Sequence, residues 1–412
     1  MVLNRSRALS GAVLAVSAGA IPAALSAQTL PDITPAIARF DPEYEPAPID
    51  IGPVRLSIDG NVRIEYDDNV FALPDNPTSD GIAVASLEAG LQHRAGAFTA
   101  KLDASVTARR FFEETSQDSE AMRVRAGLAW EPHQEETFEV SGTLQRGVED
   151  RGDPEARLEL DRGPRLIDIA SVVAGYHRAR GKLLFDLTGE VTELDAVDQL
   201  DGDRDFTVYG GTAKLGVRTG GRMYATATAF VSVRDFRLAT DFGGINRDAT
   251  IYGARAGIEF IPGGFFEGSI SAGVFRNEPS DPQLTARTGF SLNGLLTYRP
   301  TRRMALVLDA FNGDVATFRG GTSGRTDTVL RLVWQHEIRH NLLSSVSAGY
   351  RKSDFIGSGI EEQTFIASGG LEYLMTRNLS LVGNITYGTR ESDLARDEFE
   401  RLRANIGIRF RF

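Results

Sequence analysis

The chain has 412 residues, a formal charge of −11 and no cysteine. The missing cysteines exclude a disulfide framework and a thiolate metal centre. The acidic balance argues against a nucleic-acid partner, which leaves a basic footprint.

Residues 1–27 read as an export signal rather than as part of the fold. Arg5 and Arg7 form a positive start, a small-residue apolar stretch follows, and Ala24-Leu25-Ser26-Ala27 fits a small-x-small cleavage site. Cleavage near Ala27 leaves Gln28 first and a mature charge of −13, since Arg5 and Arg7 depart with the signal. No later stretch approaches the ~20 apolar residues of a membrane-spanning helix.

Residues 28–53 hold Pro31, Pro35, Pro42, Pro46, Pro48 and Pro53 among acids. Such a stretch lacks backbone donors and favours extended, solvated chain. We expect a periplasmic arm, either a linker or a partner-docking segment.

From Val54 the chain alternates. Val54, Leu56, Ile58, Val62, Ile64 and Tyr66 share one side, and Arg55, Ser57, Asp59, Asn61, Arg63 and Glu65 the other. Period 2 is the signature of a strand with one apolar face. The pattern recurs at 80–95, 98–112, 118–131, 136–150, 165–179, 182–196, 205–219 and 222–236. It continues at 247–262, 265–277, 283–299, 301–314, 325–339, 341–355, 362–376, 378–391 and 398–412, which makes eighteen strands. The connections alternate between short and long. Tight turns built on Gly96, Pro132, Gly181, Gly220, Gly263, Pro300, Asn341 and Asn378 separate long polar loops such as 67–80, 150–163, 193–205 and 235–247. A soluble sandwich has no reason to keep that order. A transmembrane antiparallel up-and-down β-barrel does, with short turns in the periplasm and long loops outside. The even count puts both termini in the periplasm and makes 54–412 one outer-membrane barrel.

The alternation also assigns faces. Phe98, Leu102, Val106, Val124, Leu128, Leu330, Leu332, Leu381 and Ile385 should meet lipid, with Tyr66, Phe98, Trp130, Phe138, Phe266, Tyr298 and Tyr387 in interfacial girdles. The opposite face carries Arg55, Arg63, Lys101, Arg109, Arg123, Arg125, Lys214, Arg218, Arg255, Arg331, Arg403, Arg409 and Arg411. It also carries Asp59, Asp103, Asp186, Glu259, Asp309 and Glu372. Against lipid each Arg or Lys costs roughly 2–4 kcal/mol near the midplane, so these charges should line a lumen. There they either select solutes or pair across strands and brace the wall.

His336-Glu337-Ile338-Arg339-His340 spells H-E-x-x-H, which binds zinc from a helix. In a strand, residues four apart are roughly 13 Å apart and cannot clasp one ion. We read His336, Glu337 and His340 as a false match. Clustered acids at 67–80 and 195–205 suit solvated loops or weak divalent bridging to lipopolysaccharide, but lack EF-hand spacing. No nucleophile elbow, phosphate loop or dinucleotide fingerprint is present, so neither a cofactor nor an enzyme is expected.

The last strand places Leu402, Ala404, Ile406, Ile408, Phe410 and Phe412 on one face and Arg403, Asn405, Arg409 and Arg411 on the other. It resembles the C-terminal strand of bacterial outer-membrane barrels, and the resemblance implies that Phe410 and Phe412 form the signal read by the barrel-assembly machinery. The first strand ends Tyr66-Asp67-Asp68-Asn69-Val70-Phe71. With the export signal, the arm and the terminal Phe, residues 54–412 resemble a family of uncharacterised proteobacterial outer-membrane β-barrel porins often found beside exopolysaccharide loci. The resemblance implies an outer-membrane location, lipid and lipopolysaccharide as surroundings, and polysaccharide export components as partners. Three functions stand open: a porin-like conduit serving exopolysaccharide export, a plugged barrel acting as an envelope scaffold, and an outer-membrane enzyme. Loops 193–205 and 235–247 are expected to separate the first two, by folding into the lumen or standing outside it.

Overall fold

A computed structural model describes residues 44–47, 49–156, 159–320 and 322–412. The expected signal and most of the expected arm lie outside the described residues. The strands are β1 (Ile49–Ile51), β2 (Val54–Asp67), β3 (Asp80–Ala95), β4 (Phe98–Phe111), β5 (Ser119–His133), β6 (Glu136–Val148), β7 (Leu166–Arg180), β8 (Leu183–Ala196), β9 (Phe206–Gly220) and β10 (Met223–Phe236). They continue as β11 (Ala249–Phe260), β12 (Phe266–Pro279), β13 (Arg287–Thr301), β14 (Met304–Val315), β15 (Gly324–Arg339), β16 (Leu342–Ile356), β17 (Ile360–Leu374), β18 (Leu379–Ser392) and β19 (Phe399–Arg411). From β2 to β19 each strand pairs antiparallel with the next, and β19 returns to β2, from Arg403 opposite Asp67 to Arg411 opposite Asp59. The sheet is a closed barrel of eighteen strands.

Its polarity is the reverse of a soluble barrel. On β2, Val62 and Ile64 are 57% and 51% exposed, while Glu65 and Asp67, just beyond them on the opposite face, are 5% and 0% exposed. The same inversion puts Leu102, Val124 and Leu332 outside. Only lipid makes an apolar exterior favourable over so large an area. Rings mark one edge of that band. Phe98, Trp130, Phe138, Tyr176 and Phe185 follow one another across β4 to β8 with centroids 5.9, 5.2, 4.5 and 5.8 Å apart. Phe260, Phe266 and Tyr298 extend the run across β11 to β13.

Short turns use the backbone their residues allow. Gly96 and Gly181 have φ of 60° and 65°, which tight hairpins require and glycine adopts at little cost. One strand starts later than its pattern. A strand was expected from 283, but β13 begins at Arg287 because Asp281 turns the chain, accepting from the Gln283 amide at 2.8 Å. Part of the expected arm is ordered too: β1 pairs with Val54, Arg55 and Leu56 of β2.

The seam depends on a glycine. Gly60 of β2 lies opposite Phe410 of β19, and a Cβ on Gly60 would strike that ring. Gly60→Val is therefore expected to destabilise the barrel by roughly 1–3 kcal/mol, as overpacking does. The urea midpoint of the refolded protein measures it. Gly189→Val is the control, since nothing lies near its Cβ position.

Candidate functional site: the inner wall and the long-loop mouth

The inner wall is braced by ion pairs. Arg409 meets Asp59 at 2.6 Å, Arg331 meets Asp309 at 3.1 Å, Arg109 meets Glu65 at 3.0 Å and Arg411 meets Glu372 at 3.2 Å. Lys214 bridges Glu259 at 2.9 Å and Asp186 at 3.9 Å, and Arg63 lies 3.6 Å from Glu65. Apart from Arg63 and Glu65, which share β2, these pairs join neighbouring or next-but-one strands, as cross-strand charges do. Two cations rest on rings instead. Arg218 donates to the Tyr224 hydroxyl at 2.8 Å, and Arg255 lies 4.3 Å from the Phe230 ring centre and donates to Ser291 Oγ. Lys101, Asp103, Arg123 and Arg125 of β4 and β5 form no salt bridge among the described residues. Arg55 pairs with Asp50 of β1 at the short-turn rim.

Loops 193–205 and 235–247, expected to decide whether the lumen is crossed, are fastened at the rim and reach the crossing only with their last arginines: Arg204 donates to the Glu155 carbonyl at 3.3 Å and Arg247 to the Thr317 carbonyl at 3.0 Å. Arg237 holds Glu193 and Asp205 at 3.1 Å each, and Asp241 accepts from the amides of Gly243 and Ile245. The crossing is made by residues 149–156, after β6, which meet residues 316–320, after β14. β6 and β15 are nine strands apart either way round the ring.

The crossing segment is shaped by its own carboxylates. Asp150 Oδ1 accepts from the Gly152 amide at 2.8 Å, and Asp153 Oδ2 accepts from the Asp150 amide at 3.2 Å. Such side-chain bonds fold a chain into consecutive turns. Glu155 sits at φ 64°, a costly backbone for a non-glycine residue, which persists only when its surroundings hold it. They do. Its carboxylate accepts from the amides of Phe318 at 3.2 Å and Arg319 at 3.3 Å and from the Thr317 hydroxyl, and lies 3.5 Å from Arg325. Asp150 binds Arg401 at 2.7 Å and Arg403 at 3.2 Å. Arg390 donates to the carbonyls of Gly152 and Asp153. Phe318 closes the other side, its ring centre 6.0 Å from Phe206 and 6.1 Å from Phe236.

The two loop aspartates titrate in opposite senses. Burial disfavours the Asp150 anion, but Arg401, Arg403 and the Gly152 amide outweigh it and hold the carboxyl below its usual range. Burial, with Asp150 and Glu149 nearby, pushes Asp153 up to about 7 against the pull of Arg351 and Arg390.

His336 and Glu337 lie on opposite faces of β15. The His336 ring stacks 5.4 Å from Trp334, and His340 meets Glu337 at 3.1 Å just past the strand. The acidic loops spend their carboxylates on the protein: Asp80 accepts from the amides of Glu113 and Glu114, and Asp201 meets Arg165 at 3.1 Å. Sequence reading missed Arg401 and Arg390, and placed Asp67 among the loop acids rather than on the wall. Carrying the alternation two residues back from Arg403 and two on from Glu65 reaches Arg401 and Asp67. No periodicity marks Asp150, Asp153 or Glu155, because loops have none.

A closed antiparallel barrel with an apolar exterior and a charged interior is an outer-membrane β-barrel. Residues 41–412 match the family described as "Putative beta-barrel porin 2", and the chain belongs to that family. Similar folds occur in OccAB3 of Acinetobacter baumannii (9% identity over 88% of this chain and 100% of that one, TM-score 0.43) and OpdK of Pseudomonas aeruginosa (11%, 87% and 99%, 0.45). The iron transporter FrpB of Neisseria meningitidis is a third (9%, 86% and 81%, 0.43). No curated protein matches the sequence.

Proposed function

We propose that the protein is a water-filled conduit through the outer membrane, with its long loops outward and residues 149–156 narrowing its mouth. The observation that carries this reading is the inner wall. Below the mouth most of its charges pair with neighbouring or next-but-one strands, Arg234 of β10 reaching farthest, to Asp314 of β14 at 3.2 Å, and open space remains beside them. About 970 Å³, part of it open to solvent, adjoins Phe230, Ser232, Arg255 and Asn293. An eighteen-strand barrel is wide enough for an aqueous lumen. The cargo we favour is a secreted polysaccharide, on the family resemblance given above.

Single-channel conductance of the refolded protein in a planar bilayer tests the conduit. Stepwise conductance is expected, several-fold larger in Asp150→Asn/Glu155→Gln, where the crossing segment loses its anchors. Silence from both proteins, each shown folded by heat-modifiable gel mobility, would instead favour a scaffold barrel. For the cargo, a deletion strain should lose secreted polysaccharide while still making precursors. Unchanged secretion would remove that cargo.

A further inference from the structure

Five arginines stand together on the long-loop end of the inner wall: Arg325 on β15, Arg351 on β16, Arg390 on β18, and Arg401 and Arg403 on β19. None is more than 8% exposed. A buried guanidinium is tolerated only with an anion against it. The wall supplies three there. Asp327 meets Arg325 at 2.9 Å, Asp67 meets Arg401 at 2.5 Å, and Glu362 lies 3.8 Å from Arg390. Arg319, on the loop after β14, holds the same Glu362 at 2.7 Å and Asp397 at 3.0 Å, so these cations outnumber these carboxylates six to four. The crossing segment makes up the difference with Asp150 and Glu155, adds Asp153 between them, and turns two main-chain carbonyls towards Arg390.

We infer that this arginine bank is a recognition site for a polymer bearing successive carboxylates, an acidic polysaccharide, and that residues 149–156 occupy it as an internal stand-in. The segment presents what such a polymer presents: carboxylates at intervals along one chain, with neutral oxygen acceptors between them. Guanidinium forks suit carboxylates and outbid hydroxyl-only sugars, because charge-assisted hydrogen bonds are about twice as strong as neutral ones. An acidic polymer arriving at the mouth would take over the contacts that Asp150 and Glu155 make, and the segment would swing clear. The inference rests on the conduit reading and names the chemical class of its cargo.

Calorimetric titration of the full mature protein in detergent tests the site without any need for conduction. The probes are a short oligogalacturonate and a maltooligosaccharide of equal length. Asp150→Asn/Glu155→Gln is expected to bind oligogalacturonate about tenfold more tightly than the unaltered protein, the worth of one charge-assisted hydrogen bond. Binding of the neutral sugar should stay unchanged. Adding Arg403→Gln should cancel the gain. If that variant fails to show heat-modifiable mobility, Arg390→Lys, which keeps the charge and loses the fork, should cancel it in part. An equal response to both sugars, or no gain in the double variant, overturns the site. Binding with a silent bilayer would overturn the conduit and leave the site standing. Conduction without binding would do the reverse.

Discussion

Arg401→Ala is expected to destabilise the barrel by about 3–5 kcal/mol, the cost of stripping one partner from a buried ion pair. Arg401 is 5% exposed and lies between Asp67, 0% exposed, and Asp150. Its removal leaves the fully buried Asp67 carboxylate without its guanidinium, while Asp150 keeps only Arg403 as its cation at 3.2 Å. It also frees one anchor of the crossing segment. Arg409→Ala is the matched comparison. That pair with Asp59 has a similar reach, 2.6 Å, but is about 30% exposed on both sides, so water takes over and about 1 kcal/mol or less is expected. Urea unfolding of the refolded barrels in lipid vesicles measures both. Equal losses in the two variants would sink the claim that burial at the mouth sets the difference.

Conductance is expected to rise with pH between about 4 and 7. The sign follows from Asp153. Its pKa is 3.8 when free and about 7 when the segment is seated, so the seated form holds a proton that the released form gives up. Between those two values seating weakens as pH rises, and above the upper one the loss is complete. Asp150 works the other way, being held below its usual range, so its support is present above 3.8 and is lost only as pH falls further. The slope over that range therefore belongs to Asp153. The charged groups facing it are Arg351 of β16, Arg390 of β18, and Asp150 and Glu149 of its own segment. Asp153→Asn should flatten the profile. A flat or falling profile in the unaltered protein would refute the assignment.

The barrel was legible because lipid imposes a rule that local sequence must obey. Every strand had to alternate, and Val62-Arg63-Ile64-Glu65 states the rule in four residues. Strand ends were less legible where a side chain intervened, as Asp281 does before β13. The mouth was not legible at all. Loops 193–205 and 235–247 drew attention by length and charge, yet Arg237 and Asp241 fasten most of each locally, and only Arg204 and Arg247 reach the crossing. What crosses the ring is 149–156, and its partners lie more than 160 residues away, at Thr317 and Phe318, and more than 230 away, at Arg390 and Arg401. Contacts at that separation depend on closure of the ring, which no local window contains. Glu155 shows this most plainly: its strained backbone has no signal of its own and is explained only by the amides it caps.

The hairpin of β1 and β2 bears on how the ring resists partners of its own kind. β19 covers one side of β2 only as far up the chain as Ile58, which exchanges both backbone hydrogen bonds with Phe412. Below that point Val54 to Leu56 would offer bare donors and acceptors at the join of first and last strands, and bare edges recruit other chains. β1 lies along that gap, almost end to end with Phe412, and completes the line that the last strand leaves short. The residues just before the barrel thus act as a selvedge, the finished border that keeps a woven sheet from taking on further threads.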